Sequence, residues 1–92
     1  MIRSFKHRGL KRLYERNDRG GIRADLVDTV QEILTVLDAA ATPHDLDFPG
    51  YRLHPLKDDL RGFWSVTVRA NWRVIFHFVG VDAFDVEWID YH

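Results

Sequence analysis

The fold of this chain is decided by residues 63–89, which read FWSVTVRANWRVIFHFVGVDAFDVEWI. Apolar and polar side chains alternate through most of this stretch, and alternation with a period of two is typical of β-strands that bury one face. Ala70-Asn71 and Gly80-Val81-Asp82 interrupt the alternation and are short enough to form hairpin turns. The stretch therefore predicts an antiparallel meander of three strands, at residues 63–69, 72–79 and 83–89.

Each predicted strand has one face that points into the core. On the second strand, Arg73 lies on the opposite, outward face. Asp90 is two residues after Trp88, so simple alternation puts it on the same side of the third strand as Trp88. Aromatic side chains dominate the inward set, and stacking on RNA bases would require at least one of them to be exposed. The predicted inward residues are Trp64, Val66 and Val68, then Trp72, Val74, Phe76 and Phe78, and finally Phe84, Val86 and Trp88.

The first half of the chain has a helical period instead. In residues 24–40 apolar side chains recur at steps of three and four, which is the mark of an amphipathic helix. A shorter basic helix is predicted from His7 to Arg16, before the helix-ending run Asn17-Asp18-Arg19-Gly20-Gly21. Short strands are predicted at residues 2–5 and 51–53, the latter running into the His54-Pro55 break, with a single turn at 44–47 between them.

The order β-α-α-β-β-β-β predicts an α+β fold in which two N-terminal helices cover one face of a mostly antiparallel sheet. The other sheet face is then left for a ligand. A chain of 92 residues has room for one domain, at 1–92. It has no cysteine, no long apolar run and no order of residues typical of a signal peptide, so we expect a cytoplasmic protein without a membrane partner.

Charge is segregated along the chain although the net charge is only −1. Residues 1–23 hold eight Lys or Arg against two acids, whereas residues 24–49 hold six acids and no base. Residues 50–73 are basic again, and 74–92 carry four acids. Most of the bases are arginine, whose planar fork suits phosphate, and this pattern is typical of a cationic patch for a polyanion. The sequence pI of about 6.5 is low for a nucleic-acid binder, and charge alone does not indicate RNA.

The residue types that carry chemistry lie in two short segments. One is His54-Pro55-Leu56-Lys57 and the other is the chain end Asp90-Tyr91-His92. Imidazole is the one side chain whose unperturbed pKa lies near neutrality, so these segments suggest proton transfer. His7, His44 and His77 are interpreted as structural or solvent-facing residues.

Three blocks of sequence, in order, resemble the HigB toxins of bacterial toxin–antitoxin modules, within the wider RelE-like toxin family. They are Ile2-Arg3-Ser4-Phe5-Lys6-His7-Arg8-Gly9-Leu10, then His54-Pro55-Leu56-Lys57 with Gly62-Phe63-Trp64-Ser65, and finally Val68-Arg69-Ala70-Asn71-Trp72-Arg73 with Asp90-Tyr91-His92. The chain departs from the family pattern at Asp58, where these toxins have Gly.

The resemblance implies a RelE-like fold and a messenger-RNA endonuclease that cuts in the decoding site of translating bacterial ribosomes. A HigA-type antitoxin with a helix-turn-helix domain would silence it and would provide its only link to operator DNA. By match to the family, His54, Asp90, Tyr91 and His92 would be catalytic, and no metal or cofactor is implied. Lys57, Arg73 and Arg69 would contact RNA phosphates.

The chemical groups that RNA cleavage requires are present among these catalytic and phosphate-binding residues. Metal-free RNA cleavage needs a base for the 2′-hydroxyl, a cation for the phosphorane and an acid for the leaving 5′-oxygen. His54 or His92 would be the base and the other the acid, and the sequence leaves the order open. Asp90 would orient an imidazole, and Tyr91 would stack on a base or donate to the phosphate.

Two alternatives stay open. In the first, His54, Asp90 and His92 bind a metal in a hydrolase, although the chain lacks the close paired spacing that would favour such a site. In the second, the protein is a non-catalytic module whose basic N-terminal helix binds RNA or an acidic partner. Loss of cleavage with retained binding in a His92→Ala variant would favour the nuclease over the binding module.

Overall fold

The computed structural model describes residues 1–90, and Tyr91 and His92 lie outside the described part. Its helices are α1 (Arg8–Arg16) and α2 (Val27–Ala39), and its strands are β1 (His54–Pro55), β2 (Trp64–Arg69), β3 (Trp72–Val79) and β4 (Asp82–Asp90). Short 3-10 turns occupy Pro43–Leu46, Pro49–Tyr51 and Asp58–Leu60.

The four strands form one antiparallel sheet in the order β1-β2-β3-β4. Both α-helices pack against the sheet at β4, and their apolar stripes close a single core with the inner faces of the strands. The predicted α+β architecture is confirmed, as are the meander and the amphipathic second helix. Core residues with no more than 3% exposure include Leu10, Leu13, Val30, Ile33, Leu34, Leu37, Val66, Val74, Phe76 and Val86.

The second helix begins later than its apolar pattern predicts. The amides of Leu26 and Val27 both donate to the carbonyl of Arg23, each at 3.0 Å, so residues 23–26 form a turn and α2 starts at Val27. Leu26 is nevertheless buried, which is why the turn looks helical in the sequence. The structure describes residues 1–90 without a helix that is long and apolar enough to cross a membrane.

The predicted strand at residues 2–5 is extended but is not a regular strand. It joins the edge of β4 through two isolated parallel bridges, Ile2 with Ala83 and Phe5 with Val86. Between these bridges the amide of Asp85 donates to the Ser4 hydroxyl at 2.8 Å instead of to a backbone carbonyl. Because Asp85 has a left-handed φ of 55°, β4 bulges there and breaks the ladder.

The same bulge makes one predicted core position wrong. The register between β3 and β4 shifts between Ile75 and His77, which places Phe84 opposite His77. The bulge supplies one extra residue, so the parity of β4 changes and Ala83, not Phe84, is fully buried. The rings of Phe84 and His77 are 6.1 Å apart on the outer face of the sheet, the face that the helices do not cover.

The predicted strand at 51–53 is also wrong. Pro49–Tyr51 forms a 3-10 turn, and Arg52 follows in the left-handed conformation with φ 50° and ψ 53°. Tyr51 is anchored in the core, and strand pairing begins only where His54 meets Ser65. Pro49 at the first position of the turn favours this geometry because its φ is fixed near the helical value.

Candidate active site

A cavity of about 320 Å³ opens on the outer face of the sheet, which the sequence predicts to be left for a ligand. Two arginines and one histidine line it, and none of the described lining residues is acidic. Hydroxyl groups and apolar side chains complete its walls. The lining residues are Arg52, His54, Leu56, Ser65, Thr67, Arg73 and Ile75.

Strand register explains why these residues meet. His54 on β1 lies opposite Ser65 on β2, and Ser65 lies opposite Ile75 on β3. One step along the sheet, Thr67 lies opposite Arg73. Directly opposed residues in antiparallel strands have Cβ atoms about 4.5–5.5 Å apart, so the two rows form one continuous surface.

Arg73 is held at the turn end of the cavity. Its Nη1 donates to the Ala70 carbonyl at 2.6 Å, and the Trp72 carbonyl lies at 3.4 Å. Ala70 is in the left-handed conformation, with φ 51°, which brings its carbonyl within reach of the guanidinium. The hairpin therefore fixes a cation beside a cavity that also contains an imidazole.

Lys57 lies in an adjoining cavity, also of about 320 Å³, whose wall includes His54. Asp58 lines the same cavity, so the departure from the family pattern puts a carboxylate next to the predicted phosphate-binding lysine. Asp58 has a φ of 56°, in the region that glycine occupies without strain. The backbone therefore keeps a shape that suits glycine although the residue is Asp.

Arg69 is placed differently from Arg73. It forms an ion pair with Asp25, on the turn before α2, and Asp25 also pairs with Arg23 at 3.0 Å. Arg69 does not line the cavity, because the register shift between Thr67 and Arg69 sets it opposite Trp72. The predicted phosphate contact of Arg69 stays a prediction.

Asp90 ends β4 and is exposed. It pairs with Trp72, whose ring stacks on Trp88 with centroids 4.7 Å apart, whereas Arg73 pairs with Ile89. The pairing of Asp90 with Trp72 continues the alternation of β4 from Trp88, and Asp90 does not line the cavity. Tyr91 and His92, the other two predicted catalytic residues of the chain end, lie outside the described residues.

Sequence reasoning missed Arg52, Ser65 and Thr67 in the cavity wall. A signal for the two hydroxyl residues exists, since both lie on the polar side of the alternation in β2. Arg52 had no such signal, because its place depends on a left-handed backbone after a 3-10 turn.

The metal-hydrolase alternative would use His54, Asp90 and His92 as ligands. Within the described residues 1–90, no three His, Cys, Asp or Glu side chains come together as a potential metal site. His54 lines the cavity and Asp90 does not, so the described residues do not bring these two members of the proposed ligand set together there.

Comparison with known proteins gives consistent results. A family model described as RelE-like toxin of type II toxin-antitoxin system HigB matches residues 3–92. Endoribonuclease HigB of Proteus vulgaris is 47% identical over 92 residues, covering 100% of both chains. Toxin HigB-1 of Vibrio cholerae serotype O1 is 33% identical over 81 residues, covering 86% of this chain and 85% of the relative.

Proposed function

The chain belongs to the HigB family of RelE-like toxins of type II toxin–antitoxin systems, and on that premise we propose that it is an endoribonuclease that cleaves translated messenger RNA. The observation that carries the proposal is the outer-face cavity, which combines His54 with Arg52 and Arg73. A cation-lined cavity with an imidazole and no described acid in its wall suits a phosphodiester. Its open position on a sheet face admits a strand of RNA.

The proposed reaction needs no metal. One imidazole takes the proton of the 2′-hydroxyl, whose oxygen forms a bond to phosphorus, and the bond from phosphorus to the 5′-oxygen breaks. The second imidazole gives the 5′-oxygen a proton as it leaves. His54 and His92 share these two roles, in an order that remains to be assigned, and inhibition of translation and growth follows from the cut message.

The arginines would stabilise the negative charge that develops on the phosphorane. Arg73 is fixed by the Ala70 carbonyl, so its charge is in place before the phosphorane forms. Preorganised donors of this kind lower barriers because nothing has to reorient during the reaction, and removing one typically costs about 10²–10³ in rate. Lys57 and Arg69 would contact neighbouring phosphates, while Asp90 and Tyr91 would orient an imidazole and the substrate.

Membership of a type II toxin family implies an antitoxin partner. We propose a HigA-type antitoxin with a helix-turn-helix domain, through which alone the toxin reaches operator DNA. The ribosome would hold the message in the decoding site and so supply orientation that a small open cavity lacks. The site of action would be the cytoplasm.

The reaction class can be tested with a single 2′-deoxynucleotide. A reporter message is translated on purified ribosomes with the protein, and the deoxynucleotide replaces the ribonucleotide on the 5′ side of a mapped cut. Cleavage is expected to disappear at that bond and to continue at other codons, because the attacking oxygen has been removed. A matched message with the deoxynucleotide one position further along is the control.

Cleavage of the modified bond would contradict the proposal. If the modified bond is cut as fast as the unmodified one, the 2′-hydroxyl is not the nucleophile and the proposed reaction is wrong. The metal-hydrolase alternative would then be favoured.

One observation favours the non-catalytic alternative. Arg8, Lys11, Arg12 and Arg16 line a shallow cavity of about 270 Å³ on α1, with Glu15 as its one described acid. This basic face can bind RNA phosphates or an acidic partner without any chemistry. The alternative predicts that a His54→Ala variant behaves like the wild type in every assay, whereas the nuclease proposal predicts lost cleavage.

A further inference from the structure

Beyond the cavity, the outer sheet face carries a row of three rings. Phe63 precedes β2, His77 lies on β3 and Phe84 lies on β4. The centroids of Phe63 and His77 are 4.7 Å apart, and those of His77 and Phe84 are 6.1 Å apart. All three residues are half-buried, and the side chain of His77 is 26% exposed.

The central ring of the row is held in place. His77 Nε2 is 2.9 Å from Asp85 Oδ2, and the side chains of the two residues are 26% and 41% exposed. Asp85 is itself fixed at the bulge, where its amide donates to the Ser4 hydroxyl at 2.8 Å. The bulge thus does more than change the parity of Phe84, because it also brings a carboxylate to His77.

A cation stands at one end of the row. The Lys6 ammonium is 5.9 Å from the centroid of the Phe63 ring, a cation–π distance. Lys6 is exposed, so its charge is available to a phosphate that lies beside the rings.

The row continues the surface of the candidate active site. Ile75 lines the cavity, and His77 is two residues further along the same face of β3. At about 3.3 Å of rise per residue, His77 lies roughly 13 Å from Arg73 along the strand. An extended RNA strand that passes over both residues can span that distance.

We propose that Phe63, His77 and Phe84 form a platform on which an RNA base flanking the cleaved phosphate stacks, with Lys6 meeting the phosphate of that nucleotide. Single-stranded RNA is recognised in this way on other four-stranded sheets, whose open faces carry aromatic side chains that stack about two or three bases. Stacking tolerates any base, because every base has a π-face. The inference rests on the proposed RNA substrate and adds a binding subsite to it.

The occupant is an RNA base and not an apolar protein segment for two reasons. Cations stand at both ends of the surface, at Lys6 and at Arg73, as a phosphate backbone requires. The row has a polar centre, since His77 is bound to Asp85, and it is therefore a poor seat for an aliphatic side chain.

The platform is tested with short single-stranded RNAs whose riboses are 2′-O-methylated, so that they bind without being cut. The fluorescent adenine analogue 2-aminopurine, whose emission falls when it stacks, is placed at one position at a time. The test variant is F63L/F84L, which keeps apolar bulk on the sheet and removes two of the rings. Tyr14→Leu is the matched control, because Tyr14 is an exposed aromatic residue on α1 that pairs with Asp38.

Wild-type protein and Tyr14→Leu are expected to quench the analogue at the same one or two adjacent positions. F63L/F84L, with an unchanged thermal midpoint, is expected to lose the quenching and to bind about tenfold or more weakly, in line with the measured cost of losing one stacked base. Absence of quenching with the wild type, or quenching that persists in F63L/F84L, would overturn the platform.

The cleavage proposal is tested by a separate measurement, the cutting of a translated message. Wild-type protein that quenches the analogue but never cuts a translated message would leave the platform intact and refute the nuclease. Wild-type protein that cuts the message without any position-specific quenching would support the nuclease and refute the platform.

Discussion

At the scale of single residues, His7 shows how a titratable side chain can stabilise a helix. It is the N-cap of α1, and its Nδ1 accepts from the Leu10 amide at 3.2 Å, which requires an unprotonated nitrogen. Burial lowers the pKa of His7, Glu87 opposes that effect and Arg12 adds to it. The capping bond is therefore made by the neutral ring.

The sign of the resulting pH dependence follows from the lowered pKa. In the unfolded chain His7 takes up a proton near its ordinary pKa of 6.5, whereas in the folded chain it does so only at lower pH. The free energy of unfolding should therefore fall as the pH drops below about 6.5 and continue to fall until the folded pKa is passed.

A His7→Asn variant isolates this contribution, because Asn is a good N-cap that does not titrate. Urea denaturation at several values between about pH 8 and pH 5 should show the wild type losing more stability than the variant on acidification. The other histidines are present in both proteins and cancel in the comparison. A constant difference between the two proteins over this range would contradict the assignment.

Strand parity predicted that Arg73 lies on the outer sheet face, and the family resemblance singled out His54. Both residues line the cavity, and their roles in catalysis and phosphate binding stay predictions. Arg69 was equally basic in the sequence, yet a register shift turns it to Asp25. No local pattern reports such a long-range pairing.

At the scale of elements, α1 is joined to the loop that follows it by an unusually close backbone contact. The Cα of Gly9 lies 2.6 Å from the position that a Cβ on Gly21 would occupy, and a Cβ on Gly9 would lie 2.8 Å from the Gly21 carbonyl oxygen. Gly9 is buried in the first turn of α1, so backbone meets backbone there without room for a side chain. These glycines therefore set how closely the loop approaches the helix.

Two effects of opposite sign act on the stability of a Gly9→Ala variant. Ala is favoured over Gly inside a helix by about 1 kcal/mol, but its Cβ would press on a backbone atom that cannot rotate away. We expect the collision to dominate and the free energy of unfolding to fall by about 1–3 kcal/mol. Urea denaturation measures the change.

Gly50→Ala is the matched control, since nothing lies within 4 Å of the position of its Cβ. Its stability should stay within about 0.5 kcal/mol of the wild type. A Gly9→Ala protein as stable as the Gly50→Ala protein would show that the loop yields at little cost.

Periodicity predicted most elements but not their irregularities. The helices and the three long strands follow from apolar spacing, because tertiary packing rewards the same spacing that the sequence displays. The bulge at Asp85 and the left-handed Arg52 do not follow, since both depend on contacts with distant segments. Each of them moves a residue onto the outer face or into the cavity: Phe84 in one case and Arg52 in the other.

At the scale of the whole molecule, the two faces of the sheet have separate tasks. The helices bury the inner face and provide stability, which leaves the outer face free to hold an imidazole, two arginines and a row of rings. The order of elements in the sequence was enough to predict this division. The surface that binds RNA in our account is therefore a consequence of the topology and not of a separate domain.

The central claim is that the cavity around His54 is where RNA is cut. The most direct measurement is primer extension on a reporter message after induced expression in bacteria of the wild type, His54→Ala or His44→Ala, with the antitoxin co-expressed in a further arm. His44 is the matched control because it lies in the turn Pro43–Leu46 against Trp64 and lines neither cavity near His54. We expect growth arrest and new 5′ ends within translated codons for the wild type and His44→Ala, and neither effect for His54→Ala or with the antitoxin. An intact message with folded wild-type protein, or undiminished cutting by His54→Ala, would contradict the account.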